Sequence, residues 1–214
     1  MKKNLGTFIL LFLCILVISS SIPALAIGVR QDNSGAIELY NKAIDETVLG
    51  KFEEAVNLTD QALSIQPNFT LALITRTSAL LALGRVEQAK ESLDAARTLE
   101  PDDASVLATT AAYSLQTGEY LSAIKYADQA LASDPTIIEA WIIKGTAYGS
   151  LGEYQEEINA SKQALLIAPD NQLAQLNLQY ASGMMKNGKK TPLSISSILL
   201  ALFGGVFLLY IERV

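Results

Sequence analysis

Four prolines, Pro67, Pro101, Pro135 and Pro169, stand 34 residues apart with no insertion between them. A fixed period of that length leaves a chain few architectures. Each period must be one supersecondary unit that buries its apolar faces against its neighbours. Other columns keep the same step: Gly50, Gly84, Gly118 and Gly152 recur, as do Ala62, Ala96, Ala130 and Ala164. Ala55, Ala89 and Ala123 form a further column, interrupted by Glu157. Leu39, Leu73, Leu107 and Trp141 make a bulky column, and Phe52, Val86, Tyr120 and Tyr154 a mostly aromatic one.

Each column has a physical reason. The apolar spacing between Leu39 and Leu49 predicts a helix that Gly50 ends without a Cβ penalty. A second helix is predicted from Phe52 to Ile65, stopped by Pro67. The alanines let paired helices approach closely, where larger side chains would hold them apart.

The pattern resembles the tetratricopeptide repeat (TPR) family over residues 36–171, as units at 36–69, 70–103, 104–137 and 138–171. The fourth unit carries the family's pattern most fully, in Trp141, Gly145, Tyr148, Gly152, Tyr154, Ala164 and Pro169. Three residues depart from it: Glu46 and Thr77, where an apolar and a small residue are usual, and Glu157 in the close-packing alanine column. They bear on packing, not on the fold. The resemblance implies an all-α, right-handed α-solenoid of four helical hairpins whose first helices line a concave surface that binds peptide segments or partner helices. After the last unit, Leu173, Leu176 and Tyr180 predict one more helix over 172–185, which the resemblance makes a capping helix. Residues 27–35 read as a polar lead-in and 186–192 as a basic spacer.

The first helices supply the expected groove. Ile37, Tyr40, Asn41, Ile44 and Val48 come from the first, and Leu71, Ile74, Thr75, Ser78 and Leu81 from the second. The third gives Ser105, Ala108, Thr109, Ala112 and Gln116, and the fourth Glu139, Ile142, Ile143, Thr146 and Ser150. Only Glu139 is charged. Holding a carboxylate needs charge-assisted donors, and Asn41 has no basic neighbour, so a clamp for a C-terminal carboxylate is not expected. The surface suits a protein or peptide segment with aliphatic anchors. The stripe Ile37, Tyr40, Ile44 and Val48 has two readings: an anchor pocket, or a face turned inward or covered by residues 27–35.

Composition narrows the chemistry. The chain has no histidine, and its one cysteine, Cys14, sits in an apolar block near the N-terminus. That excludes Cys/His zinc sites, Ser–His–Asp and Cys–His catalysis and intrachain disulfides. No phosphate loop or metal-spaced acidic cluster is present, so neither an enzyme nor a cofactor is expected. The formal net charge of −6, with no basic patch in the body, argues against nucleic acid.

The two ends point to a membrane. Lys2 and Lys3, the apolar run Phe8–Ile18 and the small residues Ala24-Leu25-Ala26 have the order of a secretory signal over 1–26, cleaved or kept as an anchor. Leu13 is too bulky for lipid attachment at Cys14. Leu193–Ile211 is uncharged and, at about 1.5 Å per helical residue, crosses roughly 30 Å, the thickness of a hydrocarbon core. It reads as a transmembrane helix or a removable sorting tail, the latter suggested by the small run Ala181-Ser182-Gly183 ahead of it. Lys186, Lys189 and Lys190 then lie outside and Arg213 inside, against the positive-inside tendency. Ser197, Ala201 and Gly205 make a small-residue stripe suited to weak self-association. Asn57, Asn68 and Asn159 open N-glycosylation sequons. The expectation is a membrane-anchored extracytoplasmic scaffold for protein–protein interaction. The alternatives are a glycosylated structural protein of the cell surface and an accessory subunit of a membrane-bound enzyme or secretion complex.

Overall fold

The computed structural model describes residues 33–186. The signal segment, most of the lead-in, the spacer beyond Lys186, and Leu193–Ile211 with Ser197, Ala201 and Gly205 lie outside the described residues. Those described form nine helices and no strand: α1 Ser34–Val48, α2 Phe52–Ile65, α3 Thr70–Ala82, α4 Val86–Leu99, α5 Ala104–Gln116, α6 Tyr120–Ser133, α7 Ile138–Leu151, α8 Tyr154–Ile167 and α9 Gln172–Lys186. No helix among them is long and apolar enough to cross a membrane. The chain is an all-α helical repeat. Ser34 and Gly35, expected in the lead-in, are already helical.

The odd-numbered helices α1, α3, α5 and α7 end in the same way. Gly50, Gly84, Gly118 and Gly152 adopt φ between 70° and 80°, a left-handed conformation that costs glycine nothing. Each reversal lets two amides return to the last turn: Gly50 N–H donates to Thr47 O at 3.0 Å and Lys51 N–H to Glu46 O at 2.9 Å. The pairs Gly84–Leu81 and Arg85–Leu80 repeat that arrangement, the Schellman closure, at 3.0 and 2.9 Å. Helices α2, α4, α6 and α8 stop instead at extended or near-extended residues just before the prolines. Asp103 caps α5, its Oδ1 accepting from Ser105 N–H at 2.9 Å and Val106 N–H at 3.0 Å.

Each helix packs on the next, and α1, α3, α5, α7 and α9 also touch in succession, making a row of their own. The alanine columns permit this: Ala62, Ala96, Ala130 and Ala164 are fully buried, as are Ala55, Ala89 and Ala123. The three departures are accommodated differently. Lys51 pairs with Glu46 at 2.9 Å. Thr77, fully buried, donates its hydroxyl to Leu73 O at 2.8 Å. Glu157 is buried opposite Gly149.

Helix α9 packs through Leu173 and Tyr180 of the predicted stripe but not through Leu176. Ala174 and Ala181 are fully buried, whereas Leu176 is half exposed. Leu173 packs with Ile142 and Ala164, and Tyr180 with Tyr154 and Ile158. Small residues win because α9 lies close against α8 and α7. Ala181-Ser182-Gly183 therefore belongs to this packed helix.

Candidate functional site

Helices α3, α5, α7 and α9 of this row line an open cavity of about 380 Å³. Ser78 and Leu81 of α3 form one side. Ser105, Ala108, Thr109, Ala112, Leu115 and Gln116 of α5 form the floor. Ile137, Glu139, Ile142 and Ile143, at and within the start of α7, form the other side, and Leu173 of α9 reaches its edge. The space follows from the repeat. In the columns where α1 carries Tyr40 and Ile44, α5 carries Ala108 and Ala112. Two large side chains become methyl groups, and room opens.

The lining is apolar with acceptor oxygens. Thr109 donates its hydroxyl to Ser105 O at 2.8 Å, and Ser78 donates to Ile74 O at 3.0 Å. With those hydrogens committed within the helices, the hydroxyls offer lone pairs to a ligand. Glu139 adds the lining's one charge. No cation lines the cavity, so it has no means of holding a carboxylate. Aliphatic groups accompanied by N–H donors or a cation match it.

Of the expected groove residues, Ser78, Ala108 and Ala112 come together here, with Leu81, Ser105, Thr109, Gln116, Glu139, Ile142 and Ile143. The α1 residues do not. Ile37, Ile44 and Val48 are exposed at 49%, 37% and 70% on the surface of α1, and Asn41 is also exposed. Tyr40 packs on Phe69 with ring centroids 5.1 Å apart. The apolar stripe thus divides: its aromatic joins the packing and its aliphatics stay exposed. Leu71 is exposed outside the cavity, and Ile74 packs against Leu73, Ala96 and Val106. Leu115, Ile137 and Leu173 are lining residues that sequence reasoning missed. Leu115 shares a column with Leu81 and was legible; Ile137 precedes its helix and Leu173 lies outside the repeat.

The three sequon asparagines are all exposed. Asn57 and Asn159 sit within α2 and α8, and Asn68 lies in the turn between α2 and α3. Asn57 Oδ1 accepts from Gln61 at 3.3 Å, and Asn159 Nδ2 donates to Glu156 at 3.4 Å. Among the described residues no three His, Cys, Asp or Glu side chains gather as a metal site would require.

Two family models, each described as a tetratricopeptide repeat, match the chain, one over residues 49–113 and the other over 138–171. No curated protein matches significantly. Among solved structures, the crystal structure of MamA protein resembles the chain with a TM-score of 0.52 at 20% identity, covering 78% of this chain and 91% of MamA. YrrB, described as a TPR protein with an unusual peptide-binding site, has a TM-score of 0.50 at 16% identity, covering 89% and 98%. The Arabidopsis OM64 TPR domain has a TM-score of 0.50 at 21% identity, covering 53% and 94%. At these identities the likeness is one of fold.

Proposed function

Because the chain belongs to the tetratricopeptide repeat family, we propose that it is a non-enzymatic scaffold that receives a partner's peptide segment in the cavity across α3, α5 and α7. The observation that carries this reading is the cavity itself: an apolar lining with acceptor oxygens and a single carboxylate, Glu139. Its ligand is a segment with aliphatic anchors flanked by lysine or arginine. The surrounding charge favours the same partner, since residues 33–186 hold twenty Asp and Glu against ten Lys and Arg. Such a field draws cationic segments toward the protein. The peptide-binding site named for YrrB supports the reading by analogy of fold.

The setting belongs to the same proposal. The four hairpins form a right-handed solenoid closed by α9, the segment 1–26 exports the body, and Leu193–Ile211 tethers it to the outer face of a membrane. Tethering raises the local concentration of whatever the cavity holds. Protease added to intact cells should cut the body away; a protected body overturns the topology.

Binding is tested on the full chain with a fluorescent nonapeptide carrying two adjacent leucines flanked by lysines. Ser78 is exposed at the mouth of the cavity, so Ser78→Trp fills it without entering the core. Affinity should fall at least about tenfold, the loss of roughly 1.4 kcal/mol, with an unchanged melting temperature. Equal affinity of the Ser78→Trp and wild-type proteins would sink the assignment.

A further inference from the structure

The fourth hairpin contains an exchange that the others lack. Leu81 clusters with Ala89, and Leu115 with Ala123. One period on from Leu115 and Ala123 stand Gly149 and Glu157, so both positions change together. A Cβ added at Gly149 would lie 2.6 Å from Glu157 Cδ and 2.8 Å from Oε1. The carboxyl group occupies the space that leucine fills in the second and third hairpins. Glu157 is 1% exposed, and neither its Oε2 nor the buried Ser161 Oγ beside it has a hydrogen-bond partner among the described residues.

No cation faces it. From α9 comes Tyr180, its phenol pushed up to about 12, first by burial and then by Tyr154 and Glu157. Tyr154, on the same helix as Glu157, meets the Tyr180 ring edge-on at 6.1 Å. Helix α7 presents Gly149. Its charged side chains are engaged elsewhere, Lys144 with Asp128 of α6 at 2.6 Å and Glu139 at the cavity. Burial accordingly pushes the Glu157 carboxyl up to about 8. The same helices carry cavity wall about two turns away: on α7, Ile142 stands seven residues before Gly149 with Ile143 beside it, and on α9, Leu173 stands seven before Tyr180.

We propose that Glu157 is a proton-operated latch on the peptide cavity, a regulation that rests on the function proposed above. With the carboxyl protonated, α7 stays seated against α8 and α9. When the proton passes to solvent, a charge without a cation is left in a buried notch, α7 shifts to hydrate it, and the cavity loses its grip on the peptide.

The test compares the full-chain wild type, Glu157→Gln and the double variant Gly149→Leu/Glu157→Ala, which restores the leucine–alanine pair. Affinity for the fluorescent leucine–lysine nonapeptide and hydrogen exchange of α7 amides, corrected for intrinsic rates, are read at about pH 6 and about pH 9.5, on either side of the folded carboxyl's titration. Wild-type affinity should drop roughly tenfold at the higher pH while α7 exchange rises, a loss of about one pK unit's worth of coupling. Both variants should hold the two readouts level. A wild type unchanged between the two pH values, or Glu157→Gln following the wild type, overturns the latch. A wild type that binds no peptide at either pH overturns the cavity's function, and the exchange comparison still decides the latch.

Discussion

A buried carboxylic acid without a cation costs little while neutral and much once ionised. Glu157 titrates at the ordinary 4.5 in the unfolded chain and near 8 in the folded one. Between those values the folded protein keeps a proton that the unfolded chain has released. Stability therefore falls as pH rises through this window, by about 1.4 kcal/mol per unit, and levels off on either side. Melting temperature measured from acid to alkaline pH should decline more steeply for the wild type than for Glu157→Gln. Superimposable profiles would mean that the carboxyl is hydrated and the notch open. Sequence marked Glu157 as the residue out of step in an alanine column, but not its remedy. Gly149 is eight positions earlier in the chain, and only the hairpin brings it opposite. Thr77 and Glu46 were legible in the same limited way. The column shows that a polar residue intrudes, whereas the partner it finds, Leu73 O for Thr77 and the Lys51 ammonium for Glu46, depends on local geometry.

Helix boundaries were the most legible part of the fold, because the same ending recurs in every unit. The predicted Phe52–Ile65 is α2 as observed, and the glycine column closes each odd-numbered helix from α1 to α7. Helix α9 lies outside the period, and of its predicted stripe Leu173 and Tyr180 pack while Leu176 does not. Size-blind apolar spacing selected Leu176, while close approach to α8 selected Ala174 and Ala181. The same contrast separates two glycines. At Gly118, φ is +80° and an added Cβ would meet nothing within 4 Å, so any cost of Gly118→Ala is backbone strain alone. It should destabilise by about 1 kcal/mol. Gly183, within α9, also has open space but no positive φ, and Gly183→Ala should stabilise by roughly 0.5–1 kcal/mol through helix propensity. Chemical denaturation decides both, and a stabilising Gly118→Ala would contradict the left-handed turn.

Across the whole row of helices, one junction is built differently. Arg76 of α3 pairs with Asp60 of α2 at 2.6 Å, and two periods later Lys144 of α7 pairs with Asp128 of α6 at 2.6 Å. The intervening junction has Asp94 on α4 but Thr110 on α5, and Asp94 is held by Lys90 of its own helix. Helix α4 touches α5 less extensively than α2 touches α3 or α6 touches α7. A cleft of about 800 Å³, with Asp94, Leu107 and Tyr126 in its walls, lies at this place. The cavity proposed for the peptide crosses the same junction, with Ser78 on one side and Ala108 on the other. Its location was readable in the small residues of α5, whereas the slack behind it was not, since an absent ion pair shows only against its partners in space. Thr110→Lys supplies the missing cation at the position of Arg76 and Lys144. Thr110 is 3% exposed and gives up a hydroxyl bond to Val106 O at 2.8 Å, a loss that the lysine stem offsets by packing along the helix. A partly buried pair with Asp94 should raise stability by up to about 1 kcal/mol, and Asp94→Asn in that background should abolish the gain. If Thr110→Lys melts at or below the wild-type temperature, the α4–α5 junction is limited by its packing and not by the lost ion pair.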